Sequence, residues 1–453
     1  MNRYDVITKY YKNLIRTKKL KAGDKLPSIR NVSLSFACSK NTAIRAFIAL
    51  EREHLIYAVP KSGYYVVDRP DVSTAASQEI IDFASVTPHP SVLPYQDFQH
   101  CLDRAITLYQ QELFTYTEPQ GFYSLRCEME KQLATKQIFT KPDYINVVAG
   151  SQQAIYILAA MPFPNGKMNI LVEQPTYSGV LRAIQLLGAT AIGIRRTAAG
   201  IDFEELERYF RGNQIKFFYT VPRFHNPLGT SYAQEEKKKI ALLAKKYDVY
   251  IVEDDYLADL ERDPKADSIF SADHGEYTIY LKSFSKVMLP GLRLGIAVLP
   301  SRLQSIFNHY KKGIDIQTTA VSQAALEVYL QSDMYEQHIK QLRKHYHEKM
   351  KVLQATCDQY LPPSVDRFIP DTGIFAHFTL PDGINLSSLQ ARMRQDGIHF
   401  PTSNSFYLPH FPKENYIRLC VMQVQESEIK QSIAHLGTVM SDNRMIHWVK
   451  GER

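Results

Sequence analysis

The sequence predicts a multi-domain protein, in which a small basic helical domain precedes a large α/β domain. Three observations support this fold class. The chain has 453 residues, more than one ordinary domain needs. Its first 70 residues contain 14 Lys and Arg against 5 Asp and Glu, whereas the remainder contains 40 against 42. From Ile80 onward, apolar strand-like runs alternate with helical patterns, which favours a mostly parallel sheet covered by helices.

Composition argues against several classes of protein. No run of about 18 apolar residues occurs, so we expect no membrane span. The charged start MNRYDVITKYYKNLIRTKKL lacks the apolar core of a signal peptide. Five scattered cysteines without a C-x-x-C spacing are typical of free thiols in a reducing cytoplasm. We therefore expect a cytoplasmic protein with no disulfide framework and no metal site.

Three segments of different character follow one another. We place the first domain at residues 1–68, a linker at residues 69–80 and the large domain at residues 81–453. The linker is polar, rich in small residues and without periodicity. As a flexible coil it reaches ~20 Å. That reach limits how far the small domain moves from its own large domain, and it is compatible with docking on a partner subunit.

The small domain is predicted to contain three helices and a hairpin. Apolar residues at helical spacing from Val6 to Leu14 indicate the first helix. Ser28 and Ser39 each have N-cap character before a further helical pattern. The remaining predicted elements are helices over residues 29–36 and 40–54 and strands over residues 55–58 and 64–67.

Basic and hydrogen-bonding side chains lie at the start of the third predicted helix. Lys40, Asn41, Thr42 and Arg45 fall on the face opposite the apolar residues. This is a helix-turn-helix arrangement, in which the start of the second helix of the motif reaches base edges. Together with the basic excess it indicates a nucleic-acid-binding domain. The charge pattern alone is equally consistent with a basic face that is merely solvated.

This domain resembles the GntR family of winged-helix regulators. The resemblance rests on GDKLPSIR at residues 23–30, SKNT at residues 39–42 and SGYYV at residues 62–66. It implies double-stranded operator DNA as a partner. Lys40 stands where the family often has arginine, so a point charge replaces a bidentate fork. The DNA-contacting residues that the resemblance implies, each with a phosphate-only or solvated role left open, are Arg30, Ser39, Lys40, Asn41, Thr42, Arg45, Lys61 and Gly63.

In the large domain, the motif SFSK at residues 283–286 directly follows a predicted strand at residues 278–281. Alone it is a weak match, because a surface lysine after a strand is common. Five further motifs accompany it, namely AGSQQA at 149–154, EQPTY at 173–177, PRFHNPLG at 222–229, EDDY at 253–256 and LRLG at 292–295. Their order and approximate spacing resemble fold-type I pyridoxal-phosphate enzymes, the aspartate aminotransferase superfamily. The resemblance implies a large subdomain with a mostly parallel sheet, a smaller α+β C-terminal subdomain and pyridoxal 5'-phosphate as cofactor.

The resemblance assigns a role to each residue type around the cofactor. Lys286 forms an imine with the cofactor aldehyde, which an incoming amino acid displaces. Asp254 keeps the pyridine nitrogen protonated so that the ring can act as an electron sink. Asn226 and Tyr256 hydrogen-bond the phenolic oxygen, and Tyr177 stacks on the ring.

A phosphate dianion needs a helix N-terminus together with hydroxyl and cationic donors. Residues 150–152, including Ser151 and Gln152, open a helix that we expect to begin at Gln153. Ser283 and Arg293 flank the lysine and resemble the family's other phosphate ligands.

Two further residues concern a carboxylate-bearing effector. Arg418, in a predicted strand over residues 416–420, resembles the arginine that grips the substrate carboxylate in a bidentate pair. An ordinary salt bridge is the alternative. Tyr116 resembles a tyrosine that lines the site, often that of the other subunit.

A GntR winged helix followed by an aminotransferase-like domain is the layout of the MocR subfamily of bacterial regulators. The resemblance implies a homodimer that binds operator DNA and senses a small amine, an amino acid or the cofactor itself through imine exchange at Lys286. We expect no physiological turnover, with a residual aminotransferase-like half-reaction. The alternatives are a cytosolic aminotransferase with an ancillary DNA-binding module and a cofactor-free dimerisation scaffold.

Overall fold

The computed structural model describes residues 3–17, 19–52, 55–59, 62–67, 80–263, 266–381, 383–401 and 403–441. The chain divides into two compact units, Met1–Gln78 and Glu79–Arg453, called here the small unit and the large unit. Most of the predicted linker and the predicted DNA-contacting residue Lys61 lie outside the described residues.

The small unit contains the three helices and the hairpin predicted for it. Both predicted N-caps are confirmed, because Ser28 Oγ accepts from Asn31 N at 3.2 Å and Ser39 Oγ accepts from Thr42 N at 3.1 Å. The strands lie one residue away from their predicted bounds. The elements are α1 (Arg3–Arg16), α2 (Ile29–Ser35), α3 (Lys40–Arg52), β1 (Ile56–Val59) and β2 (Gly63–Val66).

An aromatic core joins the helices of the small unit to its hairpin. The Phe47 ring of α3 is fully buried. It meets Tyr11 of α1 edge-on at a centroid distance of 5.5 Å and Tyr64 of β2 at 5.0 Å. Since α3 turns this face inward, its opposite face, with Lys40 and Arg45, is exposed.

The large unit holds the remaining elements. Its strands are β3 (Ile81–Asp82), β4 (Ile145–Val148), β5 (Asn169–Gln174), β6 (Ala191–Thr197), β7 (Gly200–Ile201), β8 (Ile215–Thr220), β9 (Tyr250–Asp254), β10 (Thr278–Ser283), β11 (Gly295–Val298), β12 (Asp366–Phe368), β13 (Phe375–Thr379), β14 (Ile398–His399) and β15 (Tyr416–Cys420). Its α-helices are α4 (Tyr95–Tyr109), α5 (Tyr123–Ala134), α6 (Ser151–Ala160), α7 (Ser178–Leu187), α8 (Phe203–Gly212), α9 (Gln234–Lys246), α10 (Ile269–Asp273), α11 (Ser301–Asp315), α12 (Ala320–Leu330), α13 (Asp333–Tyr360), α14 (Leu386–Gln395) and α15 (Glu426–Ser441). Short 3-10 helices lie at Pro90–Val92, Gln110–Phe114, Pro142–Tyr144, Ala258–Leu260, Pro290–Leu292 and Ser403–Phe406.

The main sheet has eight strands in the order β4-β11-β10-β9-β8-β5-β6-β7. Its central pairs are parallel, and antiparallel pairs involving β11 and β7 lie towards its two ends. The predicted mostly parallel sheet is thus confirmed. Strands β5, β8, β9 and β10 point the same way, and β4 shares their direction because two antiparallel steps separate it from β10. Each motif that follows one of these strands therefore reaches the same edge of the sheet, where ligands bind in open α/β sheets.

The C-terminal part of the large unit carries a three-stranded antiparallel sheet, β12-β13-β15, alongside the long helix α13. This is the smaller α+β part expected from the sequence. The start of the large unit joins it, because β3 pairs in parallel with β14. Residues at the beginning of the large unit are thereby held against residues more than 300 positions later.

Candidate functional site

A cavity lies at the carboxyl ends of the parallel strands. Seven of its nine lining residues are site residues predicted from the sequence. The other two, Val86 and Val221, are apolar residues without a motif signal, and sequence reasoning missed them. The full lining is Val86, Ser151, Tyr177, Val221, Asn226, Asp254, Tyr256, Ser283 and Lys286.

Lys286 lies in the connection between β10 and β11, whose ends are fixed by the strand pairing of Ser283 with Gly295. Its amine donates to the carbonyl of Val86 at 2.7 Å. Burial lowers the pKa of Lys286, and the guanidinium groups of Arg293 and Arg418 act in the same direction. A lowered pKa increases the fraction of neutral, nucleophilic amine. Lys286 is therefore suited to bond covalently to a carbonyl carbon.

Asp254 is the last residue of β9, and its two carboxylate oxygens have different surroundings. Oδ2 accepts from the Tyr219 hydroxyl at 2.7 Å, whereas Oδ1 is buried without a hydrogen-bond partner among the described residues. Burial raises the pKa of Asp254 to about 7. A buried acceptor left unfilled costs free energy. A ligand with a cationic ring N–H would supply the missing donor.

The aromatic and amide residues of the cavity have protein partners. The Tyr256 hydroxyl donates to the carbonyl of Phe224 at 2.8 Å, which leaves its oxygen able to accept. Asn226 Oδ1 accepts from Arg418 at 3.2 Å, which leaves the amide hydrogens of Asn226 available. Tyr177 immediately precedes α7 and lines the same cavity. An acidic hydroxyl on a bound ring could donate to the Tyr256 oxygen and accept from the Asn226 amide.

An anion-binding arrangement adjoins the cavity. Helix α6 begins at Ser151, two residues before the predicted start, because Gly150 with φ +81° turns the chain directly into the helix. A Cβ added at Gly150 would lie 2.7 Å from a guanidinium nitrogen of Arg293. A Cβ at Gly295 would lie 3.1 Å from Ser151 N. The two glycines thus let a guanidinium and a strand approach the amides at the start of the helix.

Two predicted phosphate ligands do not line this cavity themselves. Gln152 and Arg293 line a neighbouring open groove. Gln152 Nε2 donates to the Gly179 carbonyl at 3.0 Å, and Arg293 donates to the Ala149 carbonyl at 3.3 Å. The Gln152 side chain therefore ties α6 to α7, and a role in anion binding would fall to its backbone amide.

Arg418 is a buried cation that forms no ion pair with a carboxylate in the described part of the chain. It donates to Asn226 and to the carbonyl of Ala84, and its guanidinium lies 4.8 Å from the centre of the Phe375 ring. Among the described residues no salt bridge to Arg418 occurs, so the structure gives no support to the salt-bridge alternative. A buried guanidinium without a counter-ion favours an anionic ligand.

Tyr116 does not reach the cavity of its own chain. Its side chain is 82% exposed and belongs to an apolar face with Phe114, Ile314 and Ile316. Gln317 joins the two parts of this face, because its side-chain oxygen accepts from the Thr117 hydroxyl at 2.8 Å.

A buried cluster around Glu173, the penultimate residue of β5, was missed as a separate feature by sequence reasoning. Oε1 accepts from Arg196 at 2.5 Å, from Thr220 at 2.7 Å and from Tyr232 at 2.6 Å. Oε2 accepts from Val221 N at 3.0 Å. Arg196 also donates to the Val221 carbonyl at 3.0 Å. Glu173 thus anchors both ends of the loop that carries Asn226.

His225 completes this cluster as a neutral imidazole. Burial and then Arg196 lower its pKa to about 4. Its Nδ1 accepts from Leu228 N at 3.4 Å, so the ring hydrogen belongs on Nε2, which lies 3.2 Å from Glu173 Oε2. Burial opposes ionisation of Glu173, but Arg196 and His225 outweigh it and hold the pKa of Glu173 below its usual range.

In the small unit, Arg30, Lys40, Asn41 and Arg45 are exposed. Ser39 and Thr42 bond to each other through their hydroxyls at 2.8 Å, which gives both a structural role at the start of α3. Gly63 begins β2 with φ +125°. The sequence analysis missed Ile44 and Ile48, two exposed apolar residues of α3. Isoleucine side chains on this helix are able to contact the methyl groups of thymine.

Among the described residues, no helix is long and apolar enough to cross a membrane, and no cluster of potential metal ligands occurs.

Two family models match the chain. Residues 91–436 match the model described as aminotransferase class I and II. Residues 3–66 match the model described as bacterial regulatory proteins, gntR family. Each match lies within one of the two compact units.

Relatives named as regulators match nearly the whole chain. An uncharacterized HTH-type transcriptional regulator of Bacillus subtilis, YcxD, is 42% identical over 96% of this chain and 98% of its own. The probable rhizopine catabolism regulatory protein MocR of Rhizobium meliloti is 24% identical over 92% of this chain and 89% of its own.

Among solved structures, the large unit is similar to a kynurenine aminotransferase of Pyrococcus horikoshii in complex with PMP. The two share 28% sequence identity with a TM-score of 0.75, over 81% of this chain and 92% of the other.

Proposed function

We propose that this chain regulates transcription in response to a ligand bound beside Lys286. The chain belongs to the aminotransferase class I and II family. Through its gntR-family domain it also belongs to the HTH-type transcriptional regulators that include MocR. The protein is a pyridoxal-phosphate-dependent DNA-binding regulator.

The single observation that carries the assignment of the site is the pairing of Lys286 with Asp254 in one cavity. Among the described residues no donor reaches the buried Asp254 Oδ1, and Lys286 has an amine of lowered pKa. When bound, pyridoxal 5'-phosphate supplies an aldehyde, a basic ring nitrogen and a phosphate. Lys286 would bond to the aldehyde, and Asp254 Oδ1 would hold a proton on the ring nitrogen.

The other polar groups complete a holding site for the same molecule. Tyr177 would cover the ring face, and Asn226 and Tyr256 would bind its phenolic oxygen. The phosphate would be held by the amides at the start of α6 and the Ser151 hydroxyl, together with Ser283 and the guanidinium of Arg293.

Arg418 would bind the carboxylate of an effector. It is a buried cation with no carboxylate partner among the described residues, so an anionic ligand would gain a charge-assisted pair there. An effector with a carboxylate next to an amine would then reach Arg418 and the covalent site together.

We also propose a homodimer formed through the apolar face around Phe114 and Tyr116. The exposed rings and isoleucines of this face would be covered in the dimer. Tyr116 would then line the site of the partner subunit. Two small units in one dimer would bind two operator half-sites.

The test is a spectral titration of the full-length protein with pyridoxal phosphate, followed by amino acids and amines, in parallel with operator binding. We expect an absorbance band that Lys286→Ala abolishes, and operator affinity that changes when a ligand alters that band. Operator affinity that stays identical under all ligands would refute the sensing role. Sustained turnover with a keto-acid acceptor would favour an aminotransferase instead.

A further inference from the structure

The Tyr116 side chain is exposed, but the backbone that carries it is fixed on both sides. Gln317 Nε2 donates to the Thr115 carbonyl at 3.3 Å, and Gln317 Oε1 accepts from the backbone amide of Thr117. The same oxygen accepts from the Thr117 hydroxyl at 2.8 Å. One side chain therefore binds the residue before Tyr116 and the residue after it. We call these three hydrogen bonds the Gln317 clamp.

Gln317 itself lies on a firmly held part of the large unit, two residues after the end of α11. The next residue, Thr318, is buried, and its hydroxyl donates to the Val147 carbonyl of β4 at 3.1 Å. Gln323 of α12 donates to the Thr318 carbonyl at 2.7 Å and accepts from Phe122 N at 2.9 Å. The Gln317 clamp is thus anchored to the main sheet.

The residue before Gln317 adopts a strained conformation. Ile316 has φ +58°, a left-handed value that β-branched residues rarely adopt. Strain of this kind persists only where the surrounding structure enforces it, and it is concentrated at functional sites. The turn at Ile316 leads the chain from the end of α11 directly into the Gln317 clamp.

The Gln317 clamp does little for the packing of Tyr116 within its own subunit, because the ring is 82% exposed. Its effect is larger when a partner covers the ring. A tyrosine on a fixed backbone has only its side-chain torsions left to order, so an interface orders it at a small cost in entropy. The arrangement is typical of a rigid aromatic anchor.

An open groove beside the cavity begins at the same apolar face. Ile314 belongs to this face, and it also lines the groove that contains Gln152 and Arg293. In a two-fold dimer such a face meets its own copy. A second subunit seated on it would place its Tyr116 close to the groove, in which Arg293 adjoins the start of α6.

We propose that Gln317 is a positioning residue that acts across the dimer, so that the Gln317 clamp of one subunit holds Tyr116 in place for the cofactor site of the other. This inference rests on the proposed function, in which Tyr116 lines the site of the partner subunit. Gln317 and Thr117 are not among the residues that line the cavity of their own chain. A defect in the Gln317 clamp should therefore appear at the site of the other subunit.

The experiment is a titration of the full-length dimer with pyridoxal phosphate, followed by the absorbance band that Lys286→Ala abolishes. Gln317→Leu should raise the apparent Kd about ten-fold, the effect of losing one hydrogen bond to a charged group. The matched control is Gln304→Leu in α11, which likewise removes three hydrogen bonds of a glutamine, one with a side-chain amide and two with carbonyls. Its Kd should change less than about two-fold, because these bonds are independent of the Gln317 clamp.

Hybrid dimers, purified through two different tags, separate an effect across the interface from an effect within one subunit. In a hybrid of a Gln317→Leu subunit and a Lys286→Ala subunit, the one site that forms the band receives Tyr116 from an intact clamp, and we expect the wild-type Kd. In a hybrid of a wild-type subunit and a subunit with both substitutions, that site receives Tyr116 from the defective clamp, and we expect the increase of about ten-fold.

A Kd that stays raised in the first hybrid would overturn the inference, because Gln317 would then act within its own subunit. An unchanged Kd for the Gln317→Leu dimer would also overturn it, and a raised Kd for Tyr116→Phe would show that the proposed place of Tyr116 still holds. An unchanged Kd for Tyr116→Phe in the subunit opposite the band-forming site would refute that place and the inference together. Thr117→Val removes one donor of the clamp. It should give the same pattern with a smaller increase, and it replaces Gln317→Leu if that variant forms no dimer.

Discussion

Replacing Glu173 by glutamine tests whether the buried cluster holds the loop that carries Asn226. Glutamine has nearly the same shape, but it carries no charge and places an NH2 group where an acceptor stood. Hydrogen bonds from three side chains and one backbone amide converge on the carboxylate, and His225 Nε2 lies 3.2 Å from it. The variant would therefore leave Arg196, 1% exposed, without its counter-charge, and at least one further donor without an acceptor.

The expected loss of unfolding free energy follows from the number of groups bonded to Glu173. Removing one partner of a buried ion pair costs about 3–5 kcal/mol, because the other charge is left uncompensated. Glutamine can still accept some of these hydrogen bonds. We therefore expect the unfolding free energy to fall by about 3 kcal/mol, the lower end of this range. Cofactor affinity should fall as well, since the Asn226 loop loses its anchor at Val221.

Urea unfolding followed by circular dichroism measures the loss. The control is Glu276→Gln, which breaks a half-exposed pair with Lys245 at 2.6 Å and should cost at most about 1 kcal/mol. Adding Arg196→Met to Glu173→Gln should recover part of the stability, because the uncompensated charge is then removed. A loss below about 1 kcal/mol for Glu173→Gln would refute the anchoring role.

Three further predictions concern the cavity, the DNA surface and the apolar face. Burial raises the pKa of Asp254 to about 7 from 3.8, so its proton is bound more tightly in the folded cofactor-free protein, and stability should fall as pH rises from about 4 to about 7. Asp254→Asn should flatten this dependence in urea unfolding and weaken cofactor binding; an unchanged pH profile would contradict the assignment. Arg45→Ala should weaken operator binding and reduce the slope of log affinity against log salt by about 1, and an unaltered slope would exclude a phosphate contact. Phe114→Glu should shift the protein from dimer to monomer in analytical ultracentrifugation, whereas a persisting dimer would place the interface elsewhere.

Much of the fold follows from local patterns in the sequence. The β-branched and aromatic runs of β8 and β9 are buried on both faces, as parallel strands require, and their residue types predict strands directly. The motif of Lys286 and the motif of Asp254 each follow such a strand. Because parallel strands end at one edge, the sequence alone could predict that the two residues meet.

Contacts between distant residues could not be predicted in this way. Val86 and Lys286 are 200 positions apart, and Ala84 and Arg418 are 334 apart. The groups involved on one side are backbone carbonyls, which every residue has, so no residue type signals them. The start of α6 at Ser151 likewise depends on the positive φ of Gly150, which the sequence permits but does not demand.

The close approach at Gly295 has a consequence for mutational tolerance. A Cβ at this position would lie 2.9 Å from the Lys282 carbonyl oxygen and 3.1 Å from Ser151 N, so even alanine must push β11 away from its neighbours. Gly295 contributes no side chain to any ligand. In a library of random variants selected for function it should nevertheless be as depleted of substitutions as the lysine nine positions before it, because its missing side chain is what allows the two halves of the anion-binding arrangement to meet.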